Sequence, residues 1–416
     1  MSGRCPFSSR RGFLTAAGGL VAAASSGLGA RAATASPGRD LTEPFLGEHQ
    51  GGIATPSQSQ TYFAAIDLVT TRVSDVANLL RTWTIAAARL TAGQTAAPLG
   101  TDLSVPAADS GEALGLGPAR LTITFGFGAG LFVKDGNDRY GLAAHRPEAL
   151  VDLPNFTGDQ LQEARTGGDL SIQARADDPQ VAFHAVRQLV RLAYGAARIR
   201  WAQTGFSANS AAGSTPRNLL GFKDGTQTPG SLDDVVWVGA EGPDWMRGGS
   251  YVVVRRIRLV LEHWDQMETD FQEQMIGRHK LSGAPLGRSG EFDALDLDAT
   301  DKDGNPLIPD NAHVRLATAV SNGGAQILRR GYSYNDGVNF TAERWPPWRQ
   351  GMEYDSGLFF VCYQRDPRAG FIRIFDQISK LDALNQFATH TGGGLFACPG
   401  GVNEGGFIGQ RLFDTA

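Results

Sequence analysis

The stretch Leu170-Ser171-Ile172-Gln173-Ala174-Arg175-Ala176-Asp177-Asp178-Pro179 contains a strand followed by the beginning of a helix. Leu170, Ile172 and Ala174 alternate with polar residues, which is the pattern of a strand with one buried face. Asp178 precedes a proline, and this pair predicts a helix N-terminus because aspartate accepts hydrogen bonds from free backbone N–H groups and proline suits the first turn. The stretch therefore predicts a β–α unit.

The pattern continues on both sides of this unit. The predicted helix has an apolar face at helical spacing, formed by Ala182, Ala185, Val186, Leu189 and Ala193. Strands are predicted at 61–69, 119–127 and 198–203, and a helix at 72–90. The first half of the chain then has the element order βαββαβ.

The second half repeats this order. Its predicted elements are strands at 251–261, 326–334, 358–364 and near Leu395, with helices at 269–276 and 375–387. The order βαββαβ is that of the ferredoxin-like motif. We therefore predict an α+β fold with duplicated ferredoxin-like halves, at residues 59–205 and 206–416, whose antiparallel sheets pack together.

The N-terminus has the pattern of a targeting segment. Arg10 and Arg11 precede a weakly apolar run rich in alanine and glycine, and Ala30-Arg31-Ala32 offers small residues for cleavage. Residues 1–32 are predicted to be a twin-arginine signal peptide, followed by an irregular arm at 33–58. We expect export to the periplasm or the extracellular space, without a stable membrane span.

Net charge and cysteine content narrow the function further. The formal net charge is -5, and loss of residues 1–32 makes the protein more acidic because four arginines and no acid leave with them. Nucleic acid is therefore not an expected partner. The chain has no Cys-x-x-Cys-His motif for covalent haem. For Cys362 and Cys398, a disulfide and two buried thiols are both compatible with the sequence.

Two long connections, at 205–249 and 277–325, carry most of the candidate chemistry. Among the histidines, three are plausible metal ligands on the residues alone: His49 in the arm, His279 beside two basic residues, and His313 at the end of a long loop. The first connection contains Gly221-Phe222-Lys223-Asp224-Gly225, in which glycines bracket an aspartate. Such a turn allows close approach of a flat ligand, but it also occurs as an ordinary turn.

Several motifs in order resemble those of dye-decolourising (DyP-type) haem peroxidases, especially an exported branch of that family linked to iron uptake. The resemblance extends from about Gly47 to the end of the chain. The run 221–225 resembles the GxxDG motif of the family. The other matching runs are 47–50 (Gly-Glu-His-Gln), 276–280 (Ile-Gly-Arg-His-Lys), 313–317 (His-Val-Arg-Leu-Ala), 328–332 (Leu-Arg-Arg-Gly-Tyr) and 357–364 (Gly-Leu-Phe-Phe-Val-Cys-Tyr-Gln).

The resemblance implies one non-covalent haem b in the C-terminal half, with His313 as the iron ligand. It implies Asp224 as the distal acid–base and Arg329 as the distal cation. Arg278 could contact a haem propionate, although a solvated basic turn is equally compatible with the sequence. Further expected haem contacts are Gly225, Thr226, Gln227, Thr318, Ala319 and Val320. The last three stand where relatives have an Asn-Pro-Arg-like contact, so the chain departs from the family pattern there.

The expected activity is the reduction of hydrogen peroxide with oxidation of small or dye-like organic substrates. The alternative is an exported haem-binding protein or deferrochelatase that works with an iron-uptake system. A homo-oligomer is compatible with either function.

Strand alternation separates two neighbouring arginines. Side chains at consecutive positions of an extended strand point to opposite faces, so Arg329 and Arg330 cannot both enter one site. The family resemblance favours Arg329 as the residue that enters it.

Overall fold

The computed structural model describes residues 41–208, 215–226, 229–342 and 350–414. All strands among these residues belong to one antiparallel sheet. They are β1 Gln60–Leu68, β2 Thr122–Gly128, β3 Leu170–Ala176, β4 Ala197–Phe206, β5 Ser250–Leu259, β6 Leu328–Arg329, β7 Tyr332–Ala342, β8 Gln350–Gln364 and β9 Ala388–Cys398. The predicted signal peptide at 1–32 lies outside the described residues.

The sheet closes on itself. Its strand order is β5-β9-β2-β3-β1-β4-β7-β8, and β8 also pairs with β5, so eight strands form a ring to which the short β6 adds beside β8. We predicted antiparallel sheets packed together, and this arrangement is wrong. The difference arises because strands of the two halves pair directly, at Phe127↔Ala397 between β2 and β9 and at Phe206↔Ser333 between β4 and β7.

Helices cover the sheet and the connections between strands. They are α1 Val73–Thr91, α2 Ala129–Phe132, α3 Pro179–Leu192, α4 Leu232–Val235, α5 Leu261–Trp264, α6 Thr269–Ile276, α7 His313–Leu316, α8 Phe371–Leu381 and α9 Gln410–Asp414. The predicted N-terminus of α3 is confirmed, because the Asp178 side chain accepts hydrogen bonds from the backbone N–H groups of Gln180 and Val181 at 2.8 and 3.2 Å. Within the described residues, no helix has the length and apolar character needed to cross a membrane.

Two predicted elements differ from the structure near the candidate site. The helix predicted at 375–387 is instead α8, which ends at Leu381, followed by a separate short 3-10 helix, Ala383–Gln386. Asp382 separates them, because its side chain accepts a hydrogen bond from the backbone N–H of Leu384 at 2.8 Å and so begins the second helix. The strand predicted at 326–334 is interrupted at Arg330 and Gly331.

The two cysteines of the second half are not bonded to each other. Cys362 lies on β8 and Cys398 ends β9, and both are buried free thiols. Burial raises the pKa of both thiols, to about 12 for Cys398. Both thiols therefore stay protonated, and thus weakly reactive, at neutral pH.

Candidate active site

A cavity of about 330 Å³ lies where the two long connections meet β5, β8 and α8. Its polar lining includes Asp224, Arg278, His313, Arg329, Asp382 and His390. Its apolar wall includes Leu220, Ile257, Leu259, Ile276, Leu358, Phe360, Ile374, Phe375 and Ile378. A largely apolar cavity with a few converging polar groups is the usual form of a cofactor site.

Asp224 and Arg329 form an ion pair in this cavity. The Arg329 Nη1 donates to Asp224 Oδ1 at 3.0 Å, although the two residues are 105 positions apart in sequence. About a third of each side chain remains accessible, at 38% for Arg329 and 30% for Asp224. Both groups can therefore still contact a small molecule in the cavity.

The backbone around Asp224 forms a tight turn. The Asp224 N–H donates to the carbonyl oxygen of Pro216 at 2.8 Å, and Asn218 N–H donates to Phe222 O at 2.9 Å. Gly221 and Gly225 have φ angles of +85° and +109°, a backbone conformation that favours glycine. The glycines that bracket the aspartate are thus required by the shape of the turn.

Arg329 and Arg330 point to different surroundings, as strand alternation predicts. Arg330 Nε donates to the carbonyl oxygen of Ile53 at 3.2 Å, and its Nη2 donates to that of Ala54 at 3.1 Å. Arg330 thus holds the arm that precedes β1, whereas Arg329 enters the cavity.

His313 begins α7 and pairs with a carboxylate. Its Nδ1 lies 2.6 Å from Asp382 Oδ2, and the Asp382 side chain is only 1% exposed. A hydrogen bond from Nδ1 to a carboxylate fixes the orientation of the ring and leaves Nε2 available as a metal ligand. Asp382 is held in turn by the Leu384 N–H, so the pair has a rigid support.

Asp382 also changes the protonation of His313. Burial disfavours the charged imidazole, but the charge of Asp382 and its hydrogen bond outweigh burial, so the pKa of His313 lies above its ordinary value. The same carboxylate makes the imidazole more electron-rich when it binds a metal ion.

The other predicted site residues divide into two groups. Gly225, Thr226, Ala319 and Arg278 line the same cavity. The Thr318 hydroxyl instead bonds locally, donating to Arg315 O at 2.9 Å, and the Val320 side chain is 83% exposed, so the structure does not bring these two to the cavity wall. Gln227 lies outside the described residues.

The two alternative histidines lie away from the cavity wall. His49 stacks on Trp237 with ring centroids 3.7 Å apart, and its Nδ1 lies 2.7 Å from Gly248 O. His279 Nδ1 pairs with Glu273 Oε2 at 2.7 Å. Of the three histidines that the residues alone left open, His313 is the one that reaches the cavity.

His390 is a lining residue that the sequence did not suggest. It lies on β9 opposite Ile257, its ring is 4.5 Å from that of Phe375, and its buried Nδ1 has no hydrogen-bond partner among the described residues. Burial, reinforced by the positive charge of Arg255, lowers the pKa of His390 to about 3. The ring is therefore neutral at physiological pH.

This buried imidazole is expected to make the protein less stable in acid. Below pH about 6.5 the unfolded chain takes up a proton at His390 that the folded protein excludes until pH about 3. The free energy of unfolding should then fall by up to about 1.4 kcal/mol per pH unit from this group. His390→Leu should flatten that slope in urea denaturation between pH 6 and pH 4. His263 is exposed, so His263→Leu serves as the control. An equal dependence of unfolding free energy on pH in the two variants would contradict the prediction.

Comparison with known proteins places this geometry in a family. Residues 50–207 match the family described as Dyp-type peroxidase, N-terminal, and residues 215–403 match Dyp-type peroxidase, C-terminal. The chain is 38% identical to a dye-decolorizing peroxidase of Thermobifida fusca over 98% of this chain and 97% of that protein. It is 37% identical to a deferrochelatase of Escherichia coli K12, over 97% of this chain and 96% of that protein.

Solved structures agree with the sequence matches. Ferric DtpA from Streptomyces lividans is 41% identical and superposes with a TM-score of 0.81, covering 91% of this chain and 98% of DtpA. Taken with the two family matches, which together span most of the sequence, this likeness shows that the chain belongs to the Dyp-type peroxidase family.

Proposed function

We propose that this protein is a haem b peroxidase in which His313 is the iron ligand and Asp224 and Arg329 act on hydrogen peroxide, with organic molecules as the reductants. The observation that carries the proposal is the meeting of two pairs at one cavity. The Asp224–Arg329 pair and the His313–Asp382 pair come from distant parts of the chain and both line it.

The residues present fit a haem. A single imidazole with a carboxylate on its second nitrogen is the ligand arrangement of haem peroxidases, since the porphyrin itself would supply the other iron ligands. The apolar wall formed by residues such as Ile257, Phe360 and Ile378 suits a porphyrin ring. Arg278 and Thr226 line the same cavity and would contribute to holding the group.

When bound, haem supplies the iron at which peroxide is reduced and through which electrons are drawn from the organic substrate. The residues of this chain handle the protons and the charge. Peroxide must lose a proton from one oxygen and regain it on the other, and the Asp224 carboxylate can carry that proton. Negative charge develops on the departing oxygen as the O–O bond breaks, and the Arg329 guanidinium would stabilise that charge.

The proposal is tested by the absorption spectrum of the purified protein before and after addition of hydrogen peroxide, together with oxidation of a bulky dye. We expect a haem spectrum that changes on addition of peroxide, and dye turnover that depends on peroxide. Haem binding without peroxide-dependent turnover would overturn the proposal.

A second function, release of iron from haem, is favoured by one observation. The deferrochelatase from Escherichia coli covers nearly the whole chain at 37% identity, close to the 38% of the dye-decolorizing peroxidase. This function predicts that incubation with haem yields metal-free porphyrin with an intact ring, which fluorescence detects. An iron-uptake system is the partner that this function would require.

We also propose export by the twin-arginine route and a duplicated fold. Arg10 and Arg11 with the following apolar run support export, which a fusion of residues 1–36 to a reporter protein would test. The strand orders β2-β3-β1-β4 and β9-β5-β8-β7 support two ferredoxin-like halves, because each places the strands of a βαββαβ unit in the same relative positions.

A further inference from the structure

The turn at 217–226, called here the Asp224 turn, is held by a segment that is distant in sequence, residues 277–291. Arg217 forms the hydrogen bonds that hold the beginning of the turn. Its Nη1 donates to Gly221 O at 2.8 Å within the turn and to Lys280 O at 2.5 Å, and its Nη2 donates to Leu281 O at 2.7 Å. One guanidinium thus joins the turn to the backbone of the other segment.

Glu291 forms the hydrogen bonds that hold the end of the turn. Its Oε2 accepts a hydrogen bond from Lys223 Nζ, and its Oε1 accepts one from Thr226 Oγ1 at 3.4 Å. Lys223 and Thr226 lie on either side of the Asp224-Gly225 dipeptide. A single carboxylate therefore binds both flanks of the aspartate that faces Arg329.

Glu291 is itself held firmly. Its side chain is 10% exposed and that of Lys223 is 19% exposed, so solvent screens this pair less than a surface ion pair. The Glu291 carbonyl oxygen accepts from Arg278 Nη1 at 2.9 Å, and the same Nη1 donates to Gly283 O at 2.6 Å. Arg278, which is buried, thus anchors the backbone on which the carboxylate stands.

Gly283 allows this contact to be close. A Cβ atom at that position would lie 2.7 Å from Lys223 Cδ and 3.4 Å from Glu291 Cγ, and the φ angle of +78° also favours glycine. The aliphatic part of the Lys223 side chain therefore packs directly on the backbone at Gly283. This close packing brings the Lys223 ammonium group to the Glu291 carboxylate.

The Asp224 turn needs such a support. Glycines at 221 and 225 give its backbone more conformational freedom than other residues would, and its carboxylate must meet a guanidinium 105 positions away. Small displacements of a reacting group reduce rates strongly, since a 1 Å misplacement can cost roughly 100-fold. A bond on each side of Asp224 limits that displacement.

We propose that Glu291 is a positioning residue for the peroxide reaction, holding Lys223 and Thr226 so that the Asp224 carboxylate stays paired with Arg329. The proposal rests on the proposed role of Asp224. The connection at 277–325 then also has the function of holding the Asp224 turn. Glu291 is a second carboxylate on which turnover depends, although Glu291 itself does not contact peroxide.

The test compares Glu291→Gln, Lys223→Met and the double variant in the haem-loaded protein. We expect Glu291→Gln to lower kcat/KM for hydrogen peroxide by about 10-fold, less than a 1 Å misplacement would cost, with the KM for the dye unchanged. Amide hydrogen exchange of residues 217–226 should become faster. The double variant should be no slower than the slower single variant, because both changes remove the same bond.

The control is Asp296→Asn, which breaks the 2.8 Å ion pair of Arg288 and Asp296 in the same connection. It should leave both readouts unchanged. Unchanged exchange in Glu291→Gln, an additive loss in the double variant or an equal effect of the control would overturn the proposal. If Asp224→Asn is slow but Glu291→Gln is not, the positioning role alone fails. If Asp224→Asn is as fast as the unaltered protein, the proposed role of Asp224 fails instead.

Discussion

Replacing Asp224 by asparagine is expected to slow the reaction with hydrogen peroxide by between about 100-fold and 10,000-fold, the range that a positioned acid–base group contributes. Asparagine keeps the size of the side chain and can still accept a hydrogen bond from Arg329, but its amide does not take up a proton at neutral pH. Haem content should stay normal. Stopped-flow absorption after mixing with peroxide measures the rate directly.

Asp233→Asn is a matched control, because Asp233 belongs to the same connection but lies exposed on α4. It should react as fast as the unaltered protein. Arg329→Leu should be slow as well, since charge on the departing oxygen then lacks its guanidinium. Rapid reaction of Asp224→Asn together with slow reaction of Arg329→Leu would show that the arginine acts without the carboxylate.

Replacing His313 by alanine is expected to abolish stable haem binding. The variant removes the imidazole proposed as the iron ligand. It also leaves the buried Asp382 carboxylate without its partner, the Nδ1 atom that lies 2.6 Å from Asp382 Oδ2. The measurement is the haem absorption per mole of purified protein, with circular dichroism to show that the fold is retained.

His279→Ala is the comparison for this variant, because His279 also pairs with an acid, Glu273, but lies outside the cavity wall. It should keep its haem. If the His313 variant kept the haem spectrum of the unaltered protein while the His279 variant lost it, the ligand would be His279.

The sequence predicted most of the secondary structure, including α6 at 269–276 and the N-terminus of α3, because hydrophobic spacing and capping are local properties. Closure of the sheet could not be predicted in the same way. It depends on the pairings Phe127↔Ala397 and Phe206↔Ser333, which join residues far apart in sequence and leave no mark on local alternation.

The candidate site shows the same division. Ordered motifs predicted Asp224, His313 and Arg329, which line one cavity in the structure, and strand alternation separated Arg329 from Arg330. Asp382 was missed because a single helix was predicted at 375–387, which placed this residue inside a helix instead of at the cap between two. One local signal could have located Asp382. It is an acidic residue that directly follows a strongly amphipathic helix and precedes Ala-Leu-Asn-Gln, which is the pattern of a helix N-cap.

Closure of the sheet also changes how many strand edges the protein exposes. A strand at the edge of an open sheet presents unpaired N–H and C=O groups that can recruit another chain. Here β2 pairs with β9 at Phe127 and Gly128, and β4 pairs with β7 at Phe206, so the border strands of β1–β4 and β5–β9 meet at these positions. Either group of strands made alone would expose two such edges. At these positions each group of strands pairs with the edge of the other, so fewer backbone groups remain open to a strand from another chain.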